Sequence, residues 1–159
     1  MNYQAALIQL PLVKEATKEK IRTPEDVCRV CADMRSLAQE SFQILCLNTK
    51  NFLVNRHLVT LGLADASLVH PREVLRLAIM DNAGALVLVH NHPSGDPTPS
   101  AEDIRITRQL VEAGKIMDIK VLDHIIVGHC VNGNVVSNSD PNGRSFVSMR
   151  ESGLCSFAS

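Results

Sequence analysis

The chain has 159 residues, 45% of them hydrophobic, enough for one domain with its own buried core. Its 16 basic and 17 acidic side chains give a formal net charge of -1, and only 3% of residues are aromatic, so neither a clustered basic footprint nor a base-stacking platform for nucleic acid is expected. No apolar run approaches the roughly 18 residues that span a bilayer, Met1-Asn2-Tyr3-Gln4 lacks the basic start of a leader peptide, and the odd set Cys28, Cys31, Cys46, Cys130 and Cys155 fits a reduced, cytoplasmic protein.

Residues 1–22 are mixed in character and read as a loosely attached N-terminal arm. Thr23-Pro24-Glu25-Asp26 then starts a helix: Thr23 caps it, Pro24 fits its first position and Asp26 stands where a capping-box acid belongs. This helix is expected to run to about Gln39. Ser41–Leu47 reads as a strand, Asn48–Asn51 as a turn and Phe52–Thr60 as a second strand, together a hairpin. Pro71 opens another helix, with Val74, Leu75, Ala78 and Ile79 on one face.

Ala85-Leu86-Val87-Leu88-Val89 is a continuous apolar run, the signature of a strand buried on both faces, and it leads directly into His90-Asn91-His92. Residues 93–99, with Pro93, Gly95, Pro97 and Pro99, form a loop. Ser100 to about Lys115 is a helix with Ile104, Thr107, Leu110 and Val111 facing inward, and Val121–Gly128 is a strand. Asn132-Gly133 is a two-residue hairpin signal leading to Val135-Val136, and no element is assigned beyond Asp140. Strands and helices interleave, yet two strand pairs are hairpins. The expected class is therefore α/β (α+β), a mixed sheet flanked by helices.

The chemistry is carried by His90-Asn91-His92, then ten residues, then Asp103. Positions i and i+2 of a strand point to the same side, so both imidazoles can aim at one point. The strand stops there, which puts the pair at a sheet edge beside a loop. Two imidazoles and a carboxylate give a tetrahedral ion three protein ligands and leave the fourth position for water. Zinc so held brings the pKa of that water to about 7 and polarises a carbonyl. A plainer reading stands beside it. Ser100-Ala101-Glu102-Asp103 is also an ordinary capping box, and spacing alone favours that reading of Ser100 and Asp103. Two imidazoles closing an apolar run are harder to explain structurally, because their four nitrogens need partners. The residues by themselves leave metal site and cap open.

The segment from His90 to Asp103 resembles the signature of the RadC family, within the JAB/MPN (JAMM) metallopeptidase-like superfamily. The likeness extends to Glu40–Lys50, to Val69-His70-Pro71-Arg72-Glu73-Val74 and to Val121–Gly128, and covers roughly residues 23–150. It implies a JAB/MPN architecture of the cytidine-deaminase-like kind over 23–150, with 151–159 as a tail. It also implies one zinc ion per chain on His90, His92 and Asp103, Glu40 as general acid/base, and Ser100 helping to stabilise an oxyanion. Glu40 comes from the resemblance alone, since Glu73 and Glu102 are equally available to a reading of residue types. Full-length RadC proteins carry a helix-hairpin-helix region before this domain. Only about 22 residues precede the first helix here, so the chain resembles the short, single-domain members, and no intrinsic nucleic-acid binding is expected.

Other motifs carry less. Cys28-x-x-Cys31 has metal-site spacing but lacks a second pair and falls in a helix. The zinc deaminase signature and His-Glu-x-x-His are absent, and His90-Asn91-His92 is not the dispersed nuclease motif of the same letters. Asp123-His124 fits a role behind the metal ligands or one in the core. His57, His70 and His129 read as ordinary surface or capping residues. The expected function is a zinc-dependent hydrolase of the metallopeptidase or isopeptidase type, acting on a peptide or isopeptide substrate. The alternatives are a zinc-binding, non-catalytic interaction module and a DNA-repair-associated accessory protein. All five positions implied by the resemblance are intact, which favours the enzyme.

Overall fold

The computed structural model describes residues 16–62, 69–128 and 145–158, and the backbone of 130–131 and 134–135. Its element order is α1 (Pro24–Val30), a 3₁₀ turn (Ala32–Ser36), β1 (Ser41–Leu47), β2 (Leu53–Leu61), α2 (Pro71–Met80), β3 (Ala85–Asn91), α3 (Ala101–Ile116), β4 (Lys120–Val127), β5 (Cys130–Val131), β6 (Asn134–Val135) and β7 (Phe146–Ser148). Five strands form one sheet in the order β2-β1-β3-β4-β7. Only β3 and β4 run parallel, joined by the helical crossover through α3, while β1–β2, β1–β3 and β4–β7 are antiparallel. This is the mixed α/β sheet expected, and among the described residues no helix is long and apolar enough to cross a membrane.

The period of two along each strand sorts the core into two layers. Phe42, Ile44, Cys46, Leu86 and Leu88 face α2 and α3, where they meet Val74, Leu75, Ala78, Ile106, Leu110 and Val111. Leu45, Leu47, Val87, Val89, Ile125 and Val127 face the other way, onto Val27 and Cys28 of α1 and onto Cys31 and Met34. Strands β1 and β3 are buried along their whole length because helices cover both faces.

Several boundaries differ from expectation. The Thr23 capping box forms as read, but α1 ends at Val30 instead of near Gln39. The chain continues as a 3₁₀ turn, whose three-residue period brings Cys31 and Met34 to the same buried face. In α2, Ile79 lies 52% exposed beyond the stripe formed by Val74, Leu75 and Ala78. In α3 the buried stripe is Asp103, Ile106, Thr107, Leu110, Val111 and Gly114, so Ile106 replaces Ile104 as the inward residue. Strand β2 begins at Leu53, because Phe52 makes an isolated bridge to Lys20. Of the segment read as an arm, Thr17 and Glu19 bond to Leu53 and Ile21 bonds to Asn51, while its first fifteen residues lie outside the described ones. The Asn132-Gly133 turn also lies outside them, although the flanking β5 and β6 pair antiparallel. Strand β7 has no counterpart in the sequence reading.

Candidate metal centre

Strand β3 carries His90 and ends at Asn91, so the two imidazoles stand at the C-terminal end of a central strand, not at a sheet edge. The i, i+2 relation holds in space: the rings of His90 and His92 meet edge to face with centroids 4.9 Å apart. The β1–β3 pairing sets Phe42 opposite His90. Glu40, two residues before Phe42, therefore reaches the same place, with Oε1 2.6 Å from His90 Nε2 and 3.8 Å from His92 Nε2. Ligand atoms of Glu40, His90 and His92 all lie within 4.8 Å of one another.

Asp103 arrives from the first turn of α3. Ser100 Oγ accepts the Asp103 N–H at 3.1 Å, and Asp103 Oδ2 accepts the Ser100 N–H at 2.8 Å, so the capping box forms. The cap does not use up the carboxylate. Oδ2 also lies 3.3 Å from His92 Nε2, and Oδ1 lies 3.2 Å from His90 Nδ1. That second approach is not aligned as a hydrogen bond, and both His90 Nδ1 and Asp103 Oδ1 are buried without a bonding partner. The cap and the site thus share one side chain.

The loop after β3 fixes the second imidazole. His92 Nδ1 lies 2.8 Å from the Asp96 carbonyl oxygen, which can only accept, so Nδ1 carries a proton and Nε2 is the nitrogen turned toward the carboxylates. The loop is held by Asp96 Oδ1, which accepts from the Thr98 N–H and hydroxyl. It lies so close to β4 that a Cβ on Gly128 would stand 2.2 Å from the Gly95 carbonyl oxygen, which explains glycine there.

Electrostatics follow from this crowding. Burial works against a charge on His90, but the carboxylates of Asp103 and Glu40 against its ring overcome it and raise its pKa to about 9. Burial likewise opposes the Asp103 charge, yet His90, His92 and the Ser100 N–H hold its carboxyl well below the usual carboxylate range. Two imidazoles and two carboxylates in so small a volume demand a cation between them, either a proton or a metal. His92 Nε2, on a ring anchored through Nδ1–H, and the unbonded Oδ1 of Asp103 fit a divalent metal.

Two supporting residues stand behind this group. Asn91, 2% exposed, accepts the Ser41 N–H and hydroxyl at 2.7 and 2.8 Å through Oδ1 and donates to the Gln39 carbonyl at 3.1 Å. It clamps both neighbours of Glu40 to β3. The reading of the sequence missed Asn91, and a primary amide inside a fully buried strand was the available signal. His124 lies behind His90, centroids 6.1 Å apart, with Nδ1 2.6 Å from Thr107 Oγ1. Asp123 turns elsewhere and accepts from Ser148 Oγ and from the Arg150 and His124 N–H groups.

Comparison with known proteins matches residues 21–153 to the RadC-like JAB domain. A UPF0758 protein of Desulforamulus reducens is 51% identical over 121 residues, 76% of this chain and 53% of its own length. One from Halalkalibacterium halodurans is 45% identical over 147 residues, 92% of this chain and 57% of its own. One from Methanosarcina barkeri is 46% identical over 127 residues, 79% of this chain and 54% of its own. The chain thus spans about half the length of the curated relatives it matches.

Proposed function

This chain belongs to the RadC-like JAB domain family, and on that premise we propose that it hydrolyses amide bonds of the peptide or isopeptide kind, with one zinc ion held by His90, His92 and Asp103. The observation that carries this reading is the buried, unbonded pair His90 Nδ1 and Asp103 Oδ1 beside Nε2 of His92. Zinc, when bound, supplies a Lewis acid that acidifies water and polarises a carbonyl.

The chain's own residues divide the remaining work. His92 offers Nε2 in a fixed tautomer because Asp96 holds Nδ1–H. Asp103, 1% exposed and pinned through Oδ2 by the helix cap, suits a ligand that must not move. The Glu40 side chain is 18% exposed and so is the carboxylate open to incoming water and substrate. It takes the proton of the attacking water and passes it to the departing amine. Ser100 Oγ accepts the cap hydrogen bond, which leaves its hydroxyl proton to donate to the carbonyl oxygen as negative charge builds there.

The test is Glu40→Gln, which keeps size and an acceptor oxygen but removes the base. With a substrate found by peptide and isopeptide screening, turnover should fall by about 10²–10⁴ while zinc content is unchanged. Cleavage at the wild-type rate would refute the role of Glu40. A zinc-loaded wild type that cleaves nothing in the screen would favour a binding module over the enzyme.

A further inference from the structure

A second group of metal-ligating side chains lies away from this centre. Cys46 is four residues beyond Phe42 on β1, about 13 Å along the strand at roughly 3.3 Å per residue. His57 on β2 pairs with Ile44, so it shares the face of Ile44 and Cys46. That face packs against α2, and Asp81 is the C-cap of α2. One ligand atom from each of Cys46, His57 and Asp81 lies within 4.8 Å of the others. Cys46 is fully buried, and the side chains of His57 and Asp81 are 20% and 8% exposed.

The three side chains converge on the Asp81 carboxylate. His57 Nε2 lies 2.6 Å from Asp81 Oδ2, and Asn55 Nδ2, 3.1 Å from the same ring nitrogen, donates to Asp81 Oδ1 at 3.3 Å. Nε2 thus already faces the carboxylate that a bound ion would share with it. The last turn of α2 carries no basic residue, so the negative end of the helix dipole at Asp81 favours a cation there.

We propose that Cys46, His57 and Asp81 form a second site for a divalent transition metal of the zinc class, with its fourth position left to water, tying the end of α2 to the β1–β2 hairpin. A thiolate, an imidazole and a carboxylate suit zinc or cobalt and disfavour magnesium or calcium. Binding forms one bond to each of Sγ, Nε2 and a carboxylate oxygen and releases the Cys46 thiol proton, and any proton held between His57 and Asp81, to solvent. Nothing in this site depends on hydrolysis at the first, and none of His90, His92, Asp103 and Glu40 offers sulfur.

Cobalt(II) therefore separates the two sites. Titration of the chelator-treated full chain, in a thiol-free reductant, should raise a near-ultraviolet thiolate-to-cobalt charge-transfer absorption that saturates by about two added equivalents per chain, one for each site. The band should persist in His92→Ala and vanish in Cys46→Ser. Should Cys46→Ser fail to fold, His57→Gln, altered at a partly exposed position, should lose the band with its far-ultraviolet circular dichroism unchanged. Absence of the band in wild type overturns the site. So does a band that survives His57→Gln, which assigns the thiolate to another cysteine, and so does one lost in His92→Ala.

Discussion

His90 and His124 stand on neighbouring parallel strands with their ring centroids 6.1 Å apart, and they are 3% and 0% exposed. Their surroundings push them in opposite directions. His90 has two carboxylates against its ring and is raised to about 9 despite burial. His124 is pushed down to about 3 by burial, with the charge of His90 adding to the effect. Its nearest polar partner is the Thr107 hydroxyl, which donates to the Asp103 carbonyl at 2.6 Å and so can only accept from His124 Nδ1–H. Burial is common to both rings, so the carboxylates decide which of them sits in a cation site. His90 faces a place built for positive charge, and His124 is a neutral support that joins β4 to α3 behind it.

The strongest way to break this comparison is to remove the charge on the His90 side. Asp103→Asn keeps an oxygen for the helix cap but leaves the His90 cation with Glu40 alone. In chelator-treated protein it should cost about 3–5 kcal/mol, the usual penalty for breaking a buried pair. For a domain of this size that is a melting-temperature drop of about 6–20 °C. A shift no larger than that of a lost cap would mean His90 is neutral in the metal-free protein.

The His124 side gives a smaller effect of a different kind. Thr107→Val is nearly isosteric and deprives Nδ1–H of its acceptor, which should cost about 1–3 kcal/mol by denaturant unfolding. Zinc content should not change, because the supported ring is not a ligand. Loss of zinc in Thr107→Val would move His124 into the metal site and erase the distinction between the two rings.

Ser100→Ala sharpens the account at the point where cap and site overlap. Loss of the cap should lower stability by about 1 kcal/mol, read from thermal melts. As an oxyanion donor Ser100 should also account for about a 100-fold change in turnover. A lowered melting temperature with an unchanged rate would leave Ser100 only its capping role.

What the sequence made legible follows from local geometry. The i, i+2 histidines, the two capping boxes, the apolar run of β3 and the β1–β2 hairpin all depend on residues close together in the chain. The cap reading and the site reading of Asp103 looked like rivals because a sequence does not reveal that one carboxylate has two oxygens facing different partners. Glu40 was beyond reach of residue types, since only the pairing of β1 with β3, across fifty residues, carries it to His90. Asn91 was hidden for the same reason, its partners being Gln39 and Ser41. His57 read as a surface residue because its neighbours Cys46 and Asp81 come from another strand and a helix end. The extra length given to α1 has another cause: a stripe of Cys28, Cys31 and Met34 serves a 3₁₀ turn as well as an α-helix.

The central claim is that His90, His92 and Asp103 hold a metal ion, and zinc analysis of the purified full chain beside His92→Ala tests it most directly. The account predicts that wild type carries about one zinc more per chain than the variant, and that Asp103→Ala shows the same loss with its far-ultraviolet circular dichroism intact. Equal zinc content in wild type and His92→Ala would contradict it.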